Sequence, residues 1–106
     1  MDFETIYASV ERACEGRRLE GHDKPLVVNL IITGEGGGAM SGEGDSRGFR
    51  VARGERPDAD CTVSISSSDL EGLMTGRLNP MTAFMGGRIK TSGNVMAIMN
   101  AAKDVR

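Results

Sequence analysis

Residues able to do chemistry are scarce in this chain. It has one histidine, His22, set between Gly21 and Asp23 in a polar stretch. Its two cysteines, Cys14 and Cys61, lie far apart and read as buried, reduced thiols. With no second histidine and no Cys-x-x-Cys pair, a zinc site has almost nothing to be built from, and no metal or cofactor is expected. A Ser-His-Asp triad would have to use His22. Ser66, Ser67 and Ser68 are better explained as a strand end and a helix cap. The acidic residues Glu35, Glu43, Asp45, Glu55, Asp58 and Asp60 fall in expected loops, where a solvated role dominates. The stretch Gly34-Glu35-Gly36-Gly37-Gly38-Ala39 matches G-x-G-x-x-A, but no helix follows to hold a pyrophosphate. No catalytic residue and no enzyme activity are expected.

Long apolar runs and one-signed charge are also missing. The longest apolar run, Leu26 to Ile32, is broken by Asn29 and is far too short to span a bilayer. The N-terminal residues carry no basic and apolar leader and the C-terminal residues no peroxisomal address, so a cytoplasmic chain is expected. A net charge of −2, with no stripe of Lys or Arg, argues against a nucleic-acid partner. The composition, 39% hydrophobic and 26% charged over 106 residues, suits a single soluble domain spanning 1–106.

What the chain does have is periodicity. Phe3, Ile6, Tyr7, Val10 and Ala13/Cys14 mark one face of a helix over residues 2 to about 15, with Asp2 as cap and Gly16 as stop. Leu26 to Thr33 reads as a strand apolar on both faces, either covered on two sides or bordering a ligand. Seven of the fifteen glycines fall between Gly34 and Gly48, which predicts a hairpin with a short, poor strand near Ala39 to Ser41. Phe49 and Val51, alternating with Arg50 and Arg53, predict a third strand. Cys61, Val63 and Ile65, alternating with Thr62, Ser64 and Ser66, predict a fourth. Arg50, Arg53, Arg88 and Lys90 read most simply as outward-facing strand positions, or else as partners for a ligand anion at a cavity mouth.

Helices and one short strand make up the rest. Ser68-Asp69-Leu70-Glu71 fits a capping box opening a helix that ends at Gly76. Asn79-Pro80 opens another that ends at Gly86-Gly87. Arg88 to Ser92 reads as a fifth strand with Ile89 inward, and a last helix runs from Val95 to about Asp104. The order is a helix, three or four antiparallel strands, two helices, a strand and a helix, so the expected class is α+β with helices covering one face of a sheet.

Three apolar patches between residues 68 and 102 have helical spacing: Leu70, Leu73, Met74; Met81, Phe84, Met85; and Val95, Ile98, Met99, Ala102. Five of the seven methionines, Met74, Met81, Met85, Met96 and Met99, lie here. Methionine is the side chain that adapts best to an irregular surface. An ordinary core and the soft wall of an apolar cavity both fit this pattern.

The stretch from Asp58 to Met99 resembles the C-terminal half of the sterol carrier protein 2 domain. The likeness runs through Ala59-Asp60-Cys61-Thr62-Val63-Ser64-Ile65, Asp69-Leu70 and Met74-Thr75-Gly76-Arg77-Leu78-Asn79-Pro80. It continues through Ala83-Phe84-Met85-Gly86-Gly87-Arg88-Ile89-Lys90 and closes at Gly93-Asn94-Val95. The resemblance implies a five-stranded, mostly antiparallel sheet covered on one face by four or five helices, with an apolar tunnel between helices and sheet that binds a small lipid (fatty acid, acyl-CoA or sterol-like) without a catalytic step. The inward positions then expected to meet lipid are Val28, Leu30, Ile32, Ile65, Leu70, Leu73, Met74, Met81, Phe84, Met85, Ile89, Met96 and Met99. No stable membrane insertion is expected. The alternative is a non-catalytic homodimerisation or accessory module that presents lipid-like substrates to a partner enzyme. The second strand, Gly38-Ala39-Met40-Ser41, departs from the family pattern in lacking an aromatic residue, which predicts a thinner wall there.

Overall fold

The computed structural model describes residues 2–106. The first helix, α1 (Phe3–Cys14), is capped by Asp2, whose Oδ1 accepts a 2.8 Å hydrogen bond from the Thr5 amide. It stops where Gly16 turns into the left-handed region at φ 72°. Strands β1 (Leu26–Thr33), β2 (Gly38–Asp45), β3 (Gly48–Arg53) and β4 (Cys61–Ser66) follow. Then come α2 (Ser67–Met74), α3 (Pro80–Met85), β5 (Ile89–Gly93) and α4 (Val95–Ala102). The expected α+β sheet of five strands is present, with four helices.

Strand order is β3-β2-β1-β4-β5. Every neighbouring pair is antiparallel except β1 and β4, which run parallel from Val28↔Cys61 to Thr33↔Ser66. That pairing is non-local, and no short-range signal announces it. The register assigns the faces. Leu30 lies opposite Met40 and Val63, and Ile32 opposite Ile65, which itself lies opposite Ile89. These even positions of β1 and their partners look toward the helices.

Over the β1–β3 half, Ile6 and Tyr7 of α1 close onto Ile32 and Met40, with Phe3, Val10, Leu30, Val51 and Leu70 packed around them. Here β2 is a full eight-residue strand, not the short one expected from its glycines. The physical reason is that its glycines make room for rings. A Cβ on Gly38 would stand 2.6 Å from Phe3 Cδ1, and one on Gly44 would stand 2.4 Å from Phe49 Cε1. Aromatic area supplied by α1 and β3 thus replaces the missing β2 side chains. Arg53 is a second correction. It shares a face with Phe49 and Val51, places its guanidinium 4.2 Å from the Tyr7 ring centroid and bonds Glu4 Oε2 at 3.0 Å. It fastens α1 to the sheet.

The opposite face of β1 is covered by the chain between β3 and β4. Val27 and Asp60 exchange two 2.8 Å hydrogen bonds, and the Asn29 side chain makes two with the Arg56 backbone, at 2.8 and 2.9 Å. Further along this face the Asp45 carboxylate is fully buried. It accepts from Arg50 Nη2 at 2.9 Å and from the Arg47 amide at 2.9 Å. The segment 17–24, expected only to connect, is itself anchored. Leu19 is buried, its amide donates to Asp45 O at 2.9 Å, and Arg18 and Arg106 exchange backbone bonds at 3.2 and 2.9 Å. His22 Nε2 stands 2.7 Å from Asp104 Oδ2, so the lone histidine ties this segment to the chain end.

The cap of α2 also moves. Ser66, not Ser68, is the N-cap, accepting from the Asp69 amide at 3.1 Å, because β4 passes into α2 without a loop. Asn79 caps α3 as expected, and its Oδ1 accepts from the Met81 and Thr82 amides.

Two tests follow from this packing. Gly44→Ala should cost about 1–3 kcal/mol in urea unfolding, through its clash with Phe49. Gly42→Ala, whose nearest neighbour would be 3.8 Å away, should stay within about 0.5 kcal/mol. Equal losses would contradict the ring-over-glycine packing.

Arg50 holds the Asp45 carboxyl well below the usual carboxylate range, and Arg50 with Arg56 lowers Glu43. Both groups bind fewer protons folded than unfolded. Their contribution is therefore complete above the unfolded carboxylate value of about 4 and lost as pH falls through the depressed folded values. The urea midpoint should drop below about pH 4, and Asp45→Asn should flatten that drop. An equally steep acid limb in the variant would show that this carboxylate is not responsible.

Candidate functional site

Over the β4–β5 half, α2 lies against β4 and β1, and the remaining cover comes from α3 and α4, of six and eight residues. At about 1.5 Å rise per residue they span roughly 9 and 12 Å, against roughly 18 Å for α1. They do not close onto the sheet. Between them and β4–β5 lies an open groove of about 240 Å³, lined by Val63, Pro80, Met81, Phe84, Ile89, Thr91, Val95, Ile98 and Met99. The floor is β4 and β5, where Val63 lies opposite Thr91. Val95, Ile98 and Met99 form the α4 wall through their i, i+3, i+4 spacing. Pro80, Met81 and Phe84 form the α3 wall.

The Thr91 hydroxyl is the one polar side-chain group in this lining, and no lining residue is charged. Phe84 and Met99 remain 40% and 43% exposed, so the rim is apolar as well. Such a surface has no means of orienting a charged reactant. It can remove hydrocarbon from water.

Of the positions expected to meet lipid, Met81, Phe84, Ile89 and Met99 line the groove. Ile32 and Leu30 belong to the packing under α1, together with Leu70. Val28 shares their face of β1, Ile65 is buried and Leu73 is half-buried. Met74, Met85 and Met96 are exposed and outside the lining. Val63, Val95 and Ile98 complete the walls, and strand alternation and the last helix stripe had already placed them inward. Thr91, two residues beyond Ile89, and Pro80, seen only as a helix starter, were missed.

A larger space of about 540 Å³ opens between the end of α1 and β3, bounded by Glu11, Cys14, Glu15, Arg17, Arg18, Arg47, Phe49 and Arg50, among others. Its lining mixes apolar side chains, Cys14, Phe49 and Val51, with both signs of charge, and Arg47 and Arg50 are already engaged by Asp45. Burial pushes the Cys14 and Cys61 thiols up, away from thiolate chemistry. Among the described residues no group of three or more His, Cys, Asp or Glu is placed to hold a metal ion.

Comparison with known proteins fits this geometry. Residues 19–105 match the SCP-2 sterol transfer family. Sterol carrier protein 2 of Gallus gallus is 49% identical over 45 residues, which is 42% of this chain and 8% of that protein. Hydroxysteroid dehydrogenase-like protein 2 of Mus musculus is 34% identical over 78 residues, 73% of this chain and 16% of that protein. The chain thus spans only a small part of these curated relatives. The solution structure of palmitated SCP2L2 from Aedes aegypti superposes with a TM-score of 0.71 at 25% identity, covering 96% of this chain and 93% of that one. The chain belongs to the SCP-2 sterol transfer family, a family of lipid-binding and lipid-transfer domains.

Proposed function

We propose that this chain holds the hydrocarbon part of a small lipid in the α3–α4 groove and carries it without chemical change, a fatty-acyl chain being the best-supported ligand class. The observation that carries this reading is the lining itself, nine residues with a single hydroxyl and no charge. The palmitated mosquito relative supports the acyl class. The expected tunnel becomes, in this reading, an open groove that the ligand itself helps to close.

Size sharpens the proposal. At about 30 Å³ per water-sized group, the groove takes roughly eight such groups. Burying eight methylenes contributes about 6 kcal/mol gross, short of the roughly 8 kcal/mol that micromolar binding needs before any cost of ordering. A tighter ligand must therefore extend beyond the groove, along the rim of Met81, Phe84 and Met99. Methionine can follow such a chain by changing rotamer.

Affinity measured by displacement of a fluorescent fatty acid should rise from octanoate to palmitate by about tenfold or more. A flat series beyond octanoate would show that the rim does not take part. Met99→Asp should weaken palmitate by about tenfold or more, since a charge would meet the chain with no partner. Arg47→Ala, at the cleft between α1 and β3, should leave it within about twofold. Unchanged uptake in Met99→Asp, or no uptake of any fatty acid by the wild-type chain, would reject the groove as the lipid site.

A further inference from the structure

The sheet ends at β3, and that edge is bare. The Gly54 amide donates to Ala39 O at 2.9 Å, which sets the phase of the β2–β3 ladder. Alternation then turns the backbone groups of Arg50 and Ala52 toward β2, and those of Phe49, Val51 and Arg53 away from it. Among the described residues no other element makes a hydrogen bond with the backbone of these three. Beside Gly48 to Val51 lies the open space of about 540 Å³ at the end of α1. Such an edge is ordinarily guarded by proline or by free charge. β3 has no proline, and its two charged side chains are committed within the chain. Asp45 and Glu43 hold Arg50 at 2.9 and 3.2 Å, while Glu4 and the Tyr7 ring hold Arg53.

We infer that two copies of this chain pair through β3, antiparallel about a two-fold axis at Val51, and form one continuous sheet. In this register Phe49 faces Arg53 of the other copy and Val51 faces Val51. Each such pair exchanges two hydrogen bonds, so every outward backbone group of the three residues is satisfied. The pairs between them set Arg50 opposite Ala52, and no like charges meet. The neighbouring registers in the same phase are poorer. One sets Arg50 against Arg50 and leaves Arg53 unpaired, and the other leaves Phe49 unpaired. Glu55 is exposed and makes no ion pair among the described residues. In the dimer it lies at the end of the seam where the other copy carries Arg47. The contact is isologous and closes on itself, so it builds a dimer and not a fibre. Because the edge is complementary to itself in one register, a second copy fits it without any foreign sequence. A seam this short is a small interface, so the dimer assembles and dissociates with concentration. β3 and the groove lie at opposite ends of the strand order. Both grooves therefore stay at the outer ends of the dimer, and the pairing is independent of lipid carriage.

The test is amide hydrogen exchange read by NMR on the whole chain at about 20 μM and about 1 mM, beside sedimentation velocity. The Phe49, Val51 and Arg53 amides should exchange at least about tenfold more slowly in the concentrated sample. The Arg50 and Ala52 amides, bonded to β2, should be protected equally in both. Ala52 is exposed, and charge placed there reports the register. Ala52→Arg sets like charges opposite Arg50 at two places and should weaken the dimer about tenfold, whereas Ala52→Glu should keep it or tighten it. An amide spectrum as dispersed as that of wild type shows that each variant is folded. Equal weakening by the two variants overturns the pairing about Val51. Exchange of the three amides that does not change with concentration overturns the self-pairing. So does a chain still monomeric at about 1 mM, which would leave the edge to a foreign extended strand.

Discussion

The unequal cover of one sheet face governs the rest of the structure. All five strands turn an apolar side toward the helices, but the one long helix is committed to β1, β2 and β3. It is held there by Ile6 and Tyr7 against Ile32 and Met40, and by Arg53, which reaches both the Tyr7 ring and Glu4. The glycines of β2 let the Phe3 and Phe49 rings lie close to the strand, so this half packs like an ordinary interior. Beyond the part of β4 that α2 meets, the β4–β5 half is left to α3 and α4, which are too short to cover it. A fold with one tight half and one loose half is therefore a consequence of helix length and strand composition together.

The loose half is affordable because the stable half and the opposite sheet face are independently secured. Asn29 with the Arg56 backbone, Val27 with Asp60, and Asp45 with Arg47 and Arg50 leave no buried side-chain polar atom without a partner among the described residues. Satisfied buried polar groups of this kind fix register and face, since an unpaired one would be costly. The strands are held in place without help from α3 and α4, so the side chains above Val63, Ile89 and Thr91 need not interlock.

Much of this was legible along the chain. Helix stripes, the Asn79-Pro80 start and the alternation of β4 gave correct elements, because each depends on neighbours within one turn or one pleat. The region of the groove was legible for the same reason: Met81, Phe84 and Met99 belong to stripes with no charge beside them. What could not be read depends on residues brought together from afar. The parallel pairing of β1 with β4, the rings filling β2, the Ser66 cap and the docking of Leu19 beside Val105 are all of this kind. Which inward residues face α1 and which face the groove is decided by helix placement, and for that reason Leu30, Ile32 and Leu70 were grouped with Phe84 although they pack elsewhere.

The most direct measurement is the mapping of a bound acyl chain by methyl NMR, using palmitate with a spin label on the chain. The account predicts strong broadening of the Ile89, Val95, Ile98 and Met99 methyls, with the Ile6, Ile32 and Met40 methyls unaffected. Broadening centred on the α1 half, or spread evenly over both, would contradict it.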